Sequence, residues 1–283
     1  MKNQGFSCAT LGGACALIFA AIAAPAQAGP LINDVPALQR GFASLLAGHY
    51  NAKACGEIPD RQGKGNRPGS VTVSPAGVIS IGSLSLSMFD PAAQFALSRH
   101  FASAGFGYEL SVGGRRVGMT NDKPGGETFV DIGRTEDGGN VSEGQMCADA
   151  DMRGSRLLSA TEPLIDFLAA VYDTGGQTIT GDCKNLGRKR GGKREGGESR
   201  QASYSVSAST VTLNGKALAL KGGAKLAEAG IGSRFADGTL NGDIEWADGA
   251  NLHIERAFGE GGGGVASFAF AEGEARWFCK PAR

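Results

Sequence analysis

The sequence predicts an α+β protein of two tandem, similar units, each an amphipathic helix packed on a mainly antiparallel β-meander and each holding one disulfide. Three observations predict it. An apolar helix pattern occurs twice, 126 residues apart. A cysteine pair follows each pattern at nearly the same interval. Turn signals come too close together for parallel crossovers, which need a dozen or more residues. Composition agrees: 46 of the 283 residues are Gly, about twice the usual share of roughly 7% and without a collagen period, as a chain rich in tight turns requires. Basic and acidic side chains balance at 28 each, which argues against a dedicated nucleic-acid binder. The 41% hydrophobic content argues against a disordered chain.

Residues 1–28 read as an export signal. Lys2 precedes the apolar run Leu11 to Ala24, and Ala26-Gln27-Ala28 offers small residues for cleavage after Ala28. A lipid anchor on Cys15 fits poorly, because Gly12 stands where such signals carry Leu. No later stretch is long and apolar enough to span a bilayer. The mature chain is expected to be exported, periplasmic or extracellular, with a first unit at 29–150, a linker at 151–160 and a second unit at 161–283.

Leu38, Phe42, Leu45 and Leu46 share one helix face behind the start signals Asp34 and Pro36. Leu164, Leu168, Val171 and Tyr172 repeat that spacing, with Thr161 as N-cap and Pro163 in the first turn. Cys8 and Cys15 leave with the signal, so Cys55, Cys147, Cys183 and Cys279 remain, an even count suited to disulfides in an oxidising compartment. The intervals of 92 and 96 residues favour Cys55–Cys147 and Cys183–Cys279. Crossed pairings tying one half to the other are the alternative.

Alternating strands follow at Ser70 to Ser74 and Ser203 to Ser207. Asp90-Pro91 opens a short helix carrying Ala93, Leu97 and Phe101, and Gly223 to Ala229 is its counterpart. Hairpin turns are expected at Gly113-Gly114, Gly125-Gly126, Gly138-Gly139, Asn214-Gly215, Asp237-Gly238, Asn241-Gly242 and Asp248-Gly249. Closure of either sheet into a small barrel is compatible with the strand count.

For chemistry, Gly187 to Arg194 matches seven positions of the phosphate-binding pattern G-x-x-x-x-G-K-S/T but ends on Arg194, with no strand before it and no helix after it. The same stretch is a basic loop. Arg188, Lys189, Arg190, Lys193 and Arg194, flanked by Lys184 and Arg200, outnumber Glu195 and Glu198. Glycine-spaced guanidinium groups suit phosphate, sulfate or carboxylate, so the partners implied are anionic polysaccharide, lipopolysaccharide or an acidic protein surface. A merely hydrated loop is the plainer reading. Arg61, Lys64 and Arg67 form a weaker version in the first half. No aromatic residue is interleaved, so single-stranded bases lack a stacking platform.

Across a connection at Asp248-Gly249-Ala250, strand parity sets Trp246 opposite Leu252 and Ile244 opposite Ile254, and gathers Asp243, Glu245, His253 and Glu255 on the other face. Three carboxylates around an imidazole could hold a divalent cation or do acid/base work, although an ordinary wet sheet face carries such residues too. Of the remaining histidines, His49 falls in the last turn of the first helix and His100 beside the short helix. No nucleophile motif or cofactor motif is present. Trp277, Phe278, Phe268 and Phe270 are expected in the core. Gly259 to Gly264 reads as a hairpin tip. The reading that follows is an exported, non-enzymatic binding or interaction protein, against two rivals: an envelope hydrolase using the acidic/His group, or an inhibitor of a secreted enzyme.

Overall fold

The computed structural model describes residues 35–58, 67–121, 128–136, 140–190, 193–195, 197–222, 224–234, 238–257 and 264–282. The expected signal segment, the loop holding Arg61 and Lys64, the turn signals Gly125-Gly126 and Gly138-Gly139, and most of the Gly259 to Gly264 tip lie outside the described residues.

Helix α1 (Val35–Leu46) leads into β1 (Gly48–Ile58), β2 (Arg67–Val73), β3 (Val78–Ile81), β4 (Leu84–Ser87), β5 (Gln94–His100), β6 (Gly105–Val112), β7 (Arg115–Asn121), β8 (Phe129–Thr135) and β9 (Val141–Ala150). Helices α2 (Arg156–Ser159) and α3 (Glu162–Tyr172) follow. Then come β10 (Ile179–Asn185), β11 (Arg188–Arg190), β12 (Lys193–Glu195), β13 (Ser199–Val206), β14 (Thr210–Leu213) and β15 (Lys216–Ala219). The chain ends with β16 (Leu226–Arg234), β17 (Thr239–Trp246), β18 (Asn251–Ala257), β19 (Val265–Glu272) and β20 (Ala275–Pro281).

Both predicted helices form, and their apolar stripes are buried: Leu38, Phe42, Leu45 and Leu46 on α1, and Leu164, Leu168, Val171 and Tyr172 on α3. Pro163 sits in the first turn of α3, where its missing N–H costs nothing.

Every strand except β11 and β12 joins one antiparallel ladder. Its order is β4-β3-β2-β1-β9-β8-β7-β6-β5-β16-β17-β18-β19-β20-β10-β13-β14-β15. The pairing of β1 with β2 and β9 has its parallel in the pairing of β10 with β13 and β20. Among the described residues the sheet is not closed, because β4 and β15 each pair with one neighbour. Barrel closure, compatible with the strand count, is therefore not what the chain adopts. Side chains blunt the two edges instead: Arg115 Nη2 donates to the Ser85 carbonyl and Trp246 Nε1 to the Ala219 carbonyl, each at 2.8 Å. Occupied carbonyls make a poorer template for another strand.

The middle of the ladder is the β5–β16 seam, where Leu97 lies opposite Ile231. Both α1 and α3 run beneath it. Phe42 stacks 4.0 Å from Phe95 and lies 6.3 Å from Phe167, and a Cβ added at Gly41 would stand 2.6 Å from the Phe167 ring. Gly41 thus lets the two helices touch. One hydrophobic cluster runs through helices and sheet. The disulfides are Cys55–Cys147, linking β1 to β9, and Cys183–Cys279, linking β10 to β20, both between register partners.

Four local expectations fail. Where short helices are predicted from Asp90 and over Gly223 to Ala229, the chain forms strands β5 from Gln94 and β16 from Leu226, with Gly223 itself outside the described residues. The spacing of Ala93, Leu97 and Phe101 fits a period of two as well as one of four, and Phe95 and the buried Arg99 complete the alternation. Asn241-Gly242 is not a turn but lies inside β17, where Gly242 leaves room for the Tyr172 ring. His49 belongs to β1, since α1 ends at Leu46, and its Nδ1 is 3.0 Å from Thr72 Oγ1. His100 lies on β5, its Nδ1 3.2 Å from Glu228 Oε2 across the seam.

Candidate functional site

The outward face of β16–β18 carries the acidic/His group. Inward positions Ile244, Trp246, Leu252 and Ile254 are buried, so alternation turns Asp243, Glu245, His253 and Glu255 outward. The register differs from the expected one. Trp246 N bonds to Ala250 O at 2.8 Å, which closes the hairpin one residue earlier and sets Ile244 opposite Leu252 and Asp243 opposite His253. Faces survive this shift because both pairings move by two.

Asp243 Oδ1 and His253 Nδ1 are 2.7 Å apart. Donation from Nδ1–H to the Asp243 carboxylate raises the His253 pKa against the opposing effect of burial. With Asp243 accepting from Nδ1–H, the basic lone pair of the neutral imidazole is on Nε2. Glu255 accepts from Ser267 Oγ at 2.7 Å and also favours the charged imidazole of His253 electrostatically. Glu245 stands directly across from Glu228 on β16, a like-charge pair that a sheet does not favour. Among the described residues no group of three or more His, Cys, Asp or Glu could hold a metal ion.

Two clefts of about 380 Å³ each lie along this face. One is lined by Asp243, Glu245, His253, Arg276 and Leu186; the other crosses the seam over Ser98, Gly107, Gly230 and Gly232. They share Glu228 and Asp243. Leu186, Glu228 and Arg276 carry no sequence signal, because only the long-range pairings bring them here.

The basic stretch forms an antiparallel ribbon of its own. Arg188 pairs with Glu195, Lys189 with Arg194 and Arg190 with Lys193 along the backbone of β11 and β12. The side chains of these residues lie outside the described ones. At the ribbon's root Gly187 adopts φ +65°, Asn185 Oδ1 accepts from Gly187 N at 2.9 Å, and Leu186 N donates to Arg276 O at 2.8 Å. No helix follows, so the partial phosphate-loop match has none of its required context. Arg200, counted with the loop charges in the sequence, lies elsewhere: its guanidinium stacks 4.1 Å from the Trp277 ring and 5.1 Å from Phe270, and pairs with Glu272. Trp277, Phe268 and Phe270 are core residues, and Phe278 is half-buried.

Comparison of the chain with known family models, with curated proteins and with solved structures finds no match. No helix among the described residues is long and apolar enough to cross a membrane.

Proposed function

We propose that the chain is an exported, non-enzymatic binding protein built of two disulfide-closed repeats, and that the basic ribbon contacts an anionic partner: acidic polysaccharide, lipopolysaccharide or an acidic protein surface. The observation that carries this reading is the composition of the ribbon. Five of its paired backbone positions are Arg188, Lys189, Arg190, Lys193 and Arg194, on an arm outside the main sheet. A backbone already paired as a ribbon loses less chain entropy than a free loop when a polyanion settles on it.

Two relations support the repeat reading. Leu97 and Ile231, which face each other at the seam, occupy the same place in their hairpins, since β5 turns from residue 100 to 105 and β16 from 234 to 239. Gly41 and Phe167, which meet between the helices, hold corresponding positions in the two helix patterns. Tandem copies joined face to face through a pseudo-twofold axis would produce both contacts. Two disulfides are consistent with an oxidising, exported location.

Heparin-column retention tests the ribbon. Wild type should elute at higher salt than a chain with Arg188, Lys189, Arg190, Lys193 and Arg194 all changed to Ser; equal retention, insensitive to salt, contradicts the reading. The 2.7 Å Asp243–His253 contact beside a cleft favours one second reading, a hydrolase using His253 as general base. Hydrolysis of envelope polysaccharide or peptide that disappears in His253→Ala would establish it in place of the first.

A further inference from the structure

We propose that the cleft across the β5–β16 seam binds a neutral, hydroxyl-rich carbohydrate chain lying crosswise over the strands. The cleft has a volume of about 380 Å³. Two rows of outward positions make it. Thr120, Gly107, Ser98, Gly230 and Asp243 are successive register partners from β7 to β17, and Glu109, Ala96, Gly232 and Asn241 form the next row. Thr120 and Asp243 are four strand spacings apart, about 19 Å, and nothing larger than a serine stands between them in their row.

Two of these glycines are not required by the fold. Glycine weakens a strand interior and marks places where something approaches the backbone closely. At Gly181 the protein itself does so, since an added Cβ would stand 2.7 Å from the Lys280 carbonyl. Gly230 is also close to backbone, at 3.1 Å from the Leu97 carbonyl. At Gly107 an added Cβ would meet only Ser98 Oγ, at 3.6 Å, and at Gly232 only the Phe95 carbonyl, at 3.4 Å, among the described residues. Neither has a positive φ. Packing and backbone conformation thus admit side chains at both positions, and the lack of them leaves a flat floor open to the outside.

The walls select the ligand. All four charged residues lining the cleft already have partners: Glu109 and Arg116 pair at 3.4 Å, Glu228 meets His100 at 3.2 Å and Asp243 meets His253 at 2.7 Å. A charged ligand finds no unmatched charge here, whereas hydroxyl groups can donate to the carboxylate lone pairs that these partners leave unused. Asn241, Thr120 and Ser98 add neutral donors and acceptors. Phe129, 45% exposed and the register partner of Thr120, extends the first row with an aromatic ring suited to the apolar side of a sugar. The site is separate from the basic ribbon.

Cellohexaose, maltohexaose and the hexasaccharide of chitin are the probes, each titrated into the full chain by calorimetry. At least one should bind saturably, with an affinity that sodium chloride does not change. Gly107→Val and Gly232→Val, which raise the floor, should each abolish that binding without lowering Tm, since Val suits a strand better than Gly. The chain with Arg188, Lys189, Arg190, Lys193 and Arg194 changed to Ser should bind the sugar as wild type does, so this result stands or falls apart from heparin retention. No binding of any of the three sugars, binding that survives both Val substitutions, or a Tm lowered by both overturns the proposal. Binding of a casein peptide pool in place of the sugars would mark a peptide groove and overturn it too.

Discussion

Removing the Cys55–Cys147 or the Cys183–Cys279 bridge should cost about the same. The loops they close span 92 and 96 residues, for which chain entropy gives about 4.6 and 4.7 kcal/mol at 25 °C. The loops do not overlap in sequence, so the two costs should add to about 9 kcal/mol. Domains of ordinary stability have only about 5–15 kcal/mol in total, and a chain lacking both bridges should be largely unfolded at physiological temperature. Each pair is changed to Ala, alone and together, and urea unfolding is followed by circular dichroism, with the midpoint separated from the slope because an uncrosslinked chain exposes more surface and steepens it. A loss below about 1 kcal/mol for either bridge would refute the entropic argument for that loop. So would a loss for one bridge several times that for the other, since loop length sets the magnitude and the loops are nearly equal.

Two further outcomes are expected. Phe42 is buried and packs on Phe95, Tyr108 and Phe167, so Phe42→Ala should destabilise by about 3–5 kcal/mol; a loss under about 1 kcal/mol would mean α1 is not seated beneath the seam. The Asp243 hydrogen bond raises the His253 pKa in the folded chain, so the stability from this pair is fully present below the unfolded His value of about 6.5 and is lost as pH rises through the folded value. Both side chains are partly exposed, at 38% and 63%, and the contribution should stay near 0.5 kcal/mol. Asp243→Asn should therefore lower stability at pH 6 and leave it unchanged at pH 9, as urea midpoints at the two values would show; an effect larger at pH 9 has the wrong sign.

What could be read in the chain was local. The stripes of α1 and α3 follow from i, i+4 spacing. The disulfide pairing follows from two similar intervals. Asp243 and His253 reach one face through strand parity, which tolerates the misplaced hairpin. What could not be read depends on distant partners. Nothing near residues 94–100 announces that β5 will pair with β16, and Ala93, Leu97 and Phe101 imitate a helix until Phe95 and Arg99 are seen to be buried between them. Arg99 misleads because it is inward and charged; its guanidinium is held by the Leu157 and Ala160 carbonyls, a contact set by the helices. Asn241-Gly242 imitates a turn because the glycine serves Tyr172, a residue on α3 some seventy positions earlier. Arg256, buried on β18 with its guanidinium on the Val171 carbonyl, carried no sequence signal, since α3 and β18 meet only in the folded chain.

The central functional claim is that the cations of the ribbon supply the contact with an anionic partner. Fluorescence anisotropy of a labelled sulfated oligosaccharide, titrated with the full chain over a range of sodium chloride, tests it most directly. The claim predicts a linear fall of log affinity with log salt that flattens when Arg188, Lys189, Arg190, Lys193 and Arg194 are changed to Ser. The same slope in wild type and variant, or no binding by either at low salt, would contradict it.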